Sequence, residues 1–154
     1  MAGNIEKRLT ELGIALPTPP APVANYVPTV RSGSLLFCSG QVSAAPGGKA
    51  VKGKLGAEIT LEQGQEAARI CTINLLAQAK GALGDLDHIK RCIRLGGFIN
   101  SVPTFAQLAI VMNGASDLMV QVLGDSGRHA RTTVGVAELP NDASVEVEAL
   151  FEVT

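Results

Sequence analysis

Residues 124–154, GDSGRHARTTVGVAELPNDASVEVEALFEVT, contain a glycine-bounded basic turn, a strand, a Leu-Pro break and a second strand. A strand turns successive side chains to opposite faces, so a period of two marks it. In the first run Thr132, Val134 and Val136 alternate with Arg131, Thr133 and Gly135. In the second, Val145, Val147 and Ala149 alternate with Glu146, Glu148 and Leu150. Leu139-Pro140 closes the first run, because proline donates no ladder hydrogen bond and restricts the residue before it. Asn141-Asp142 suits the turn that follows. Arg131 opens one strand and Glu146 stands on the next, with Gly127-Arg128-His129 just before. That is a candidate anion site beside a candidate proton-handling carboxylate.

Working back from this stretch, a helix is predicted within 105–123, with Leu108, Met112, Leu118, Val122 and Leu123 as buried positions. Asn113-Gly114 interrupts it with two poor helix formers. Residues 88–99 read as a strand with a bulge at Gly96-Gly97. Residues 60–83 carry the strongest helix signal: Thr60 and Gln63 make a capping box, and Gly84 stops the apolar stripe. Residues 43–57, rich in Gly, Ala and Lys, read as a mobile loop with solvated lysines. Residues 25–31 and 34–38 form a hairpin around Ser32-Gly33, ended by Ser39-Gly40-Gln41. Residues 3–13 form a short helix capped by Asn4, and a Pro-rich connector from Leu16 lies across the body of the domain.

The order is β-β-α-β-α-β-β after the N-terminal helix. Two long helices against a mostly antiparallel or mixed sheet make an α+β domain with one bare face. Leu35, Phe37, Ile93, Leu95, Val134, Val136, Val145 and Val147 are more apolar strand positions than one face hides, which points to oligomerisation. The 154 residues suit one domain, 1–154, divided into an N-terminal helix and Pro-rich extension (1–20) and a core (23–154). With 46% hydrophobic and 18% charged residues the chain is globular. A net charge of -1, no Trp and one Tyr argue against a nucleic-acid surface. Cys38, Cys71 and Cys92 are odd in number and set in apolar runs, as buried thiols of a reducing compartment are. Without a signal core, a membrane-length run or a Cys/His cluster, the expectation is a cytoplasmic protein with no membrane partner and no metal.

Three separated segments resemble the RidA (YjgF, endoribonuclease L-PSP) family. They are Tyr26 followed thirteen residues later by Ser39-Gly40-Gln41, then Asn113, then Arg131-Thr-Thr-Val-Gly-Val-Ala-Glu-Leu-Pro with Glu146 fifteen residues after the arginine. The resemblance covers about residues 23–154. It implies a chorismate-mutase-like fold, with two long helices on one face of a mixed sheet and sheets packing together in a homotrimer. Sites would lie in clefts between subunits. It implies hydrolysis of enamine and imine intermediates to 2-oxo acids and ammonia, without a cofactor. Arg131 would grip the carboxylate of a small metabolite, and Tyr26, Ser39 and Asn113 would line the cleft. Glu146 would place the attacking water together with the backbone carbonyl of Thr133, where many relatives carry cysteine. Arg128 is a second anion contact or an intersubunit ion pair. His129 is a general base or a backbone-bonded turn residue. Read without the resemblance, Arg131 is also a surface ion-pair residue and Glu146 a solvated strand residue. Two other functions compete: a non-catalytic small-metabolite (2-oxo acid) binder using the same clefts and arginine, and the ribonuclease of the family's older name, against which the near-neutral charge and scarce aromatics speak.

Overall fold

The computed structural model describes residues 3–19, 21, 24–45 and 50–154. Helix α2, Leu61–Leu83, begins where the Thr60 hydroxyl accepts from the Gln63 backbone N–H and the Gln63 side-chain oxygen accepts from the Thr60 N–H. A cap of this kind stabilises a helix by about 1 kcal/mol. Helix α3, Leu108–Leu123, packs beside α2, and both cover one face of a five-stranded sheet. The strands are β1 (Thr29–Ser32), β2 (Leu35–Val42), β3 (Ile89–Asn100), β4 (Ala130–Val136) and β5 (Val145–Val153), in the spatial order β1-β2-β5-β3-β4. All neighbours are antiparallel except β3 and β4, which run parallel. This is the α+β architecture that the order of elements predicts, with two long helices on one face of a mixed sheet as the family resemblance implies. Phe151, Leu36, Leu95 and Ile99 of the sheet are buried with Leu75, Leu76, Met112 and Met119 of the helices.

Several local expectations change. The two C-terminal strands are not neighbours, because β3 lies between them. A single helical turn, Pro140–Asp142, and positive φ at Asn141 and Asp142 lie between them. Gly96 and Gly97 pair in register with Glu148 and Val147, and the irregularities fall nearer the start of β3, between Ile89 and Arg91 and between Cys92 and Arg94. Gly97 answers to a close approach instead: a Cβ there would strike the Met112 side chain. Gly114 does the same between helices, where a Cβ would strike the Gln65 carbonyl of α2. Gln65 closes that crossing by donating to the Ile110 carbonyl at 3.1 Å.

Helix α1, Asn4–Glu11, is not capped by Asn4. The Asn4 and Ile5 N–H groups donate to the Asp87 carboxylate at 2.7 and 2.9 Å. Gly13, at φ +70°, follows the helix end. Of the Pro-rich connector, Leu16 packs against the core, and Pro20 and Pro22 lie outside the described residues. Of the loop predicted mobile over 43–57, residues 46–49 lie outside them as well. The rest is anchored: Leu55 is fully buried, and Lys54 donates to Asn100 Oδ1 at 2.7 Å and to the Ala137 carbonyl. Lys54 is therefore a structural cation and not a solvated one. No helix among the described residues is long and apolar enough to cross a membrane.

The face away from the helices carries Val30, Phe37 and Val134, which are 53%, 47% and 42% exposed. Leu95, Val145 and Val147, counted in the apolar surplus, belong to the core under the helices.

Gly114→Ala is expected to cost about 1–3 kcal/mol through overpacking at the helix crossing. Gly81→Ala in α2, where nothing lies within 4 Å of the added Cβ, is expected to gain about 1 kcal/mol. Urea unfolding midpoints of the two variants check both signs.

Candidate functional site

Strand β4 is an edge strand whose residues alternate between the two faces. Arg131 and Thr133 point to the helix side, in register with the buried Leu95 and with Gly97 under α3. There Arg131 Nη1 donates to Asn113 Oδ1 at 2.9 Å and to Ser116 Oγ at 3.1 Å, and Nη2 donates to the Ala109 carbonyl at 3.3 Å. Residues 109, 113 and 116 form one stripe of α3, at the spacing that stacks side chains on a helix face. A guanidinium has five N–H donors. Three are used here, so Nε–H and one Nη2–H have no partner among the described residues. A held guanidinium with free donors suits an oxyanion.

Ser116 was not among the predicted site residues. Its signal in the sequence was its place three residues after Asn113. It also contacts His129, whose Nε2 lies 2.9 Å from Ser116 Oγ and whose Nδ1 lies 2.6 Å from the Gly127 carbonyl. Of the two readings of His129, the structure has the backbone-bonded turn residue. Arg128 is exposed and pairs with Asp125 at 3.4 Å, outside the Arg131 cluster. Thr133 Oγ1 is buried without a hydrogen-bond partner among the described residues.

Glu146 lies elsewhere. Val145, Val147 and Ala149 of β5 are buried under the helices, so Glu146 and Glu148 stand on the opposite, open face. The expected meeting of Arg131 and Glu146 does not occur within one chain, because β3 and the thickness of the sheet separate them. Glu146 is half-buried and lies over Gly40, where a Cβ would strike its carboxylate. Burial raises its pKa above the ordinary carboxylate value, and Glu148 raises it further. An ionised state favoured by a neighbouring arginine is therefore not what the single chain holds. Beside Gly40, Ser39 Oγ donates to the Val27 carbonyl at 2.8 Å, and Tyr26 is 56% exposed. Ser39, Gly40 and Glu146 thus make a second group, distinct from that of Arg131, Asn113, Ser116 and His129.

The three cysteines are free and buried. Burial pushes the Cys38 and Cys92 thiols up to about 12 and Cys71 well above its ordinary value, so none offers a thiolate at neutral pH. One acidic trio among the described residues, Glu6, Asp85 and Asp87, has its oxygens within 4.8 Å of one another. Its oxygens accept from Lys80, from the Leu86 N–H, from the start of α1 and from the Asp87 N–H, which is helix-anchoring work.

Residues 6–152 match the family model described as "YjgF/chorismate_mutase-like, putative endoribonuclease". The chain is 48% identical over 152 residues to Protein TCP17 of Trypanosoma cruzi, covering 98% of this chain and 95% of that one. It resembles the crystal structure of Atu1372 from Agrobacterium tumefaciens, a protein of unknown function, at 50% identity and a TM-score of 0.91, over 97% of this chain and 92% of that one. It also resembles Escherichia coli TdcF, solved with bound serine, at 25% identity and a TM-score of 0.64, over 89% and 94% of the two chains.

At pH 8 a disulfide-exchange reagent is expected to find none of the three thiols in native protein and all three in guanidinium chloride. A thiol held protonated in the fold but free to ionise when unfolded lowers stability as pH rises. For Cys38 and Cys92 that loss begins near 9.0 and runs to about 12. Denaturation midpoints measured from pH 8 upward should therefore fall.

Proposed function

This chain belongs to the YjgF/chorismate mutase-like family that includes RidA, and from that premise we propose that it hydrolyses reactive enamine and imine intermediates to 2-oxo acids and ammonia. The observation that carries the reading is the Arg131 guanidinium, tethered by Ala109, Asn113 and Ser116, with two donors that have no partner among the described residues. An imine of a 2-oxo acid presents a carboxylate next to its electrophilic carbon. Two parallel N–H bonds read that carboxylate and set the carbon at a fixed distance. Water adds to the carbon, a proton passes to nitrogen, and the carbinolamine expels ammonia to leave the carbonyl. An acceptor that orients the water suffices, because the substrate is already activated. Bound serine in TdcF supports the reading, since serine carries the same α-carboxylate.

Glu146 and the Thr133 backbone carbonyl are the proposed water contacts, and Tyr26 and Ser39 the proposed cleft lining. Because Glu146 and Arg131 lie on opposite faces of one sheet, the reading needs a second copy to bring them together. The proposed assembly is a homotrimer that covers the open face carrying Val30, Phe37 and Val134. A monomer mass by light scattering at micromolar concentration would remove that cleft.

The test generates imines in situ with an amino-acid oxidase and follows 2-oxo acid release. Wild-type protein is expected to accelerate release. Arg131→Ala should lose about ten- to a hundredfold in substrate affinity, the worth of a charge-assisted contact. Arg131→Lys should restore little, because an ammonium lacks the planar fork. Full activity in Arg131→Ala would defeat the assignment. Unaccelerated hydrolysis with Arg131-dependent binding of 2-oxo acids would favour a binding protein instead.

A further inference from the structure

We infer that Ser116 and His129 are positioning residues for the Arg131 guanidinium, and that His129 acts on the bound carboxylate only through Ser116. The inference rests on Arg131 being the carboxylate contact.

The hydrogen bonds determine one another. The Gly127 carbonyl can only accept, so Nδ1 of His129, 2.6 Å away, carries the imidazole hydrogen. Arg131 Nη1 can only donate, so Ser116 Oγ accepts from it at 3.1 Å. The Ser116 hydroxyl hydrogen then goes to His129 Nε2, which has a free lone pair in this tautomer and lies 2.9 Å away. The far end of the chain is fixed as well. Gly127 is buried, and a Cβ there would strike the Met119 carbonyl of α3, so the turn is clamped to the same helix that carries Ser116. Both His129 nitrogens are spent, which leaves neither a proton nor a lone pair for water or substrate. Asn113 and Ser116 take both Nη1 hydrogens, so the guanidinium cannot swivel without breaking them. Arg91 of β3 and Arg128 of the turn border the same surface depression as His129, and neither intervenes between it and Ser116.

A double-mutant cycle on the full chain tests this. The affinity for pyruvate is measured by calorimetry, and KM and kcat are measured with an in situ imine. Ser116→Ala and His129→Ala are each expected to weaken pyruvate binding about two- to tenfold, the worth of one neutral hydrogen bond. KM should rise with kcat nearly kept, as loss of uniform binding requires. The double variant should match Ser116→Ala alone. Multiplying effects, or a kcat collapse in His129→Ala at unchanged KM, would overturn the inference. Wild-type binding in both single variants, beside a weakened Arg131→Ala, would overturn it too. An unaffected Arg131→Ala would instead defeat the carboxylate reading beneath it. Should His129→Ala fail to fold, ¹⁵N spectra of the wild-type imidazoles decide. The chain has two histidines, so His88→Gln assigns them. In its neutral form the His129 ring should show hydrogen on Nδ1 and none on Nε2, and the opposite tautomer would refute the chain of bonds.

Discussion

The candidate site depends on how closely α3 lies against its neighbours. Gly114 lets its backbone meet the Gln65 carbonyl of α2, and Gly97 leaves room in β3 for Met112. Only at that depth do Ala109, Asn113 and Ser116 reach the Arg131 guanidinium within 3.3 Å. A side chain at residue 114 would push the helices apart by an ångström or more, and hydrogen bonds stretched that far are lost. The cost is local: glycine inside a helix is less favourable than alanine by about 1 kcal/mol. The Asn113-Gly114 step is thus poor as helix and necessary as site, a conflict between levels that marks functional positions.

The second constraint is the two-faced sheet. Strand β5 alternates without a break, so Val145 and Val147 belong to the core and Glu146 must face away from it. Strand β4 alternates too, which turns Arg131 toward the helices. No rotamer carries either side chain through the sheet. The proposed chemistry, which uses both, is divided between faces, and the open face that holds Glu146 also holds exposed Phe37 and Val134.

Much of this was legible in the sequence because it is local. Alternation marked β4 and β5, and Thr60 with Gln63 marked the start of α2. What escaped depends on partners remote in the chain. Asp87 caps α1 from beyond α2, and Lys54 bonds Asn100 across the whole of α2. The parallel pairing of β4 with β3 requires α3 to cross over between them, and strand periodicity holds no record of it. Gly96-Gly97 looks the same in a sequence whether it makes a bulge or admits a helix, so the choice fell to the wrong one. Ser116 had no signal except its spacing from Asn113, since serine is common on helix surfaces. Arg131 and Asn113 were legible through the family resemblance, and their contact at 2.9 Å joins two segments that it left apart.

Charge sets the terms on which the two faces could work together. In the single chain Glu146 is penalised by burial and by Glu148, and no cation among the described residues offsets either. Arg131 has the reverse condition: its tethers are the neutral oxygens of Ala109, Asn113 and Ser116, so its charge is solvated without being neutralised. A carboxylate answered only by neutral oxygens would be repelled, but a guanidinium so held keeps its full attraction for an incoming anion. In the proposed cleft, a guanidinium from one copy near Glu146 of the next would favour the ionised carboxylate that water orientation needs. A substrate carboxylate between them would compete for the same guanidinium. Keeping acid and base on separate faces prevents a closed Arg131–Glu146 ion pair within the chain, which would have left neither group free for a ligand.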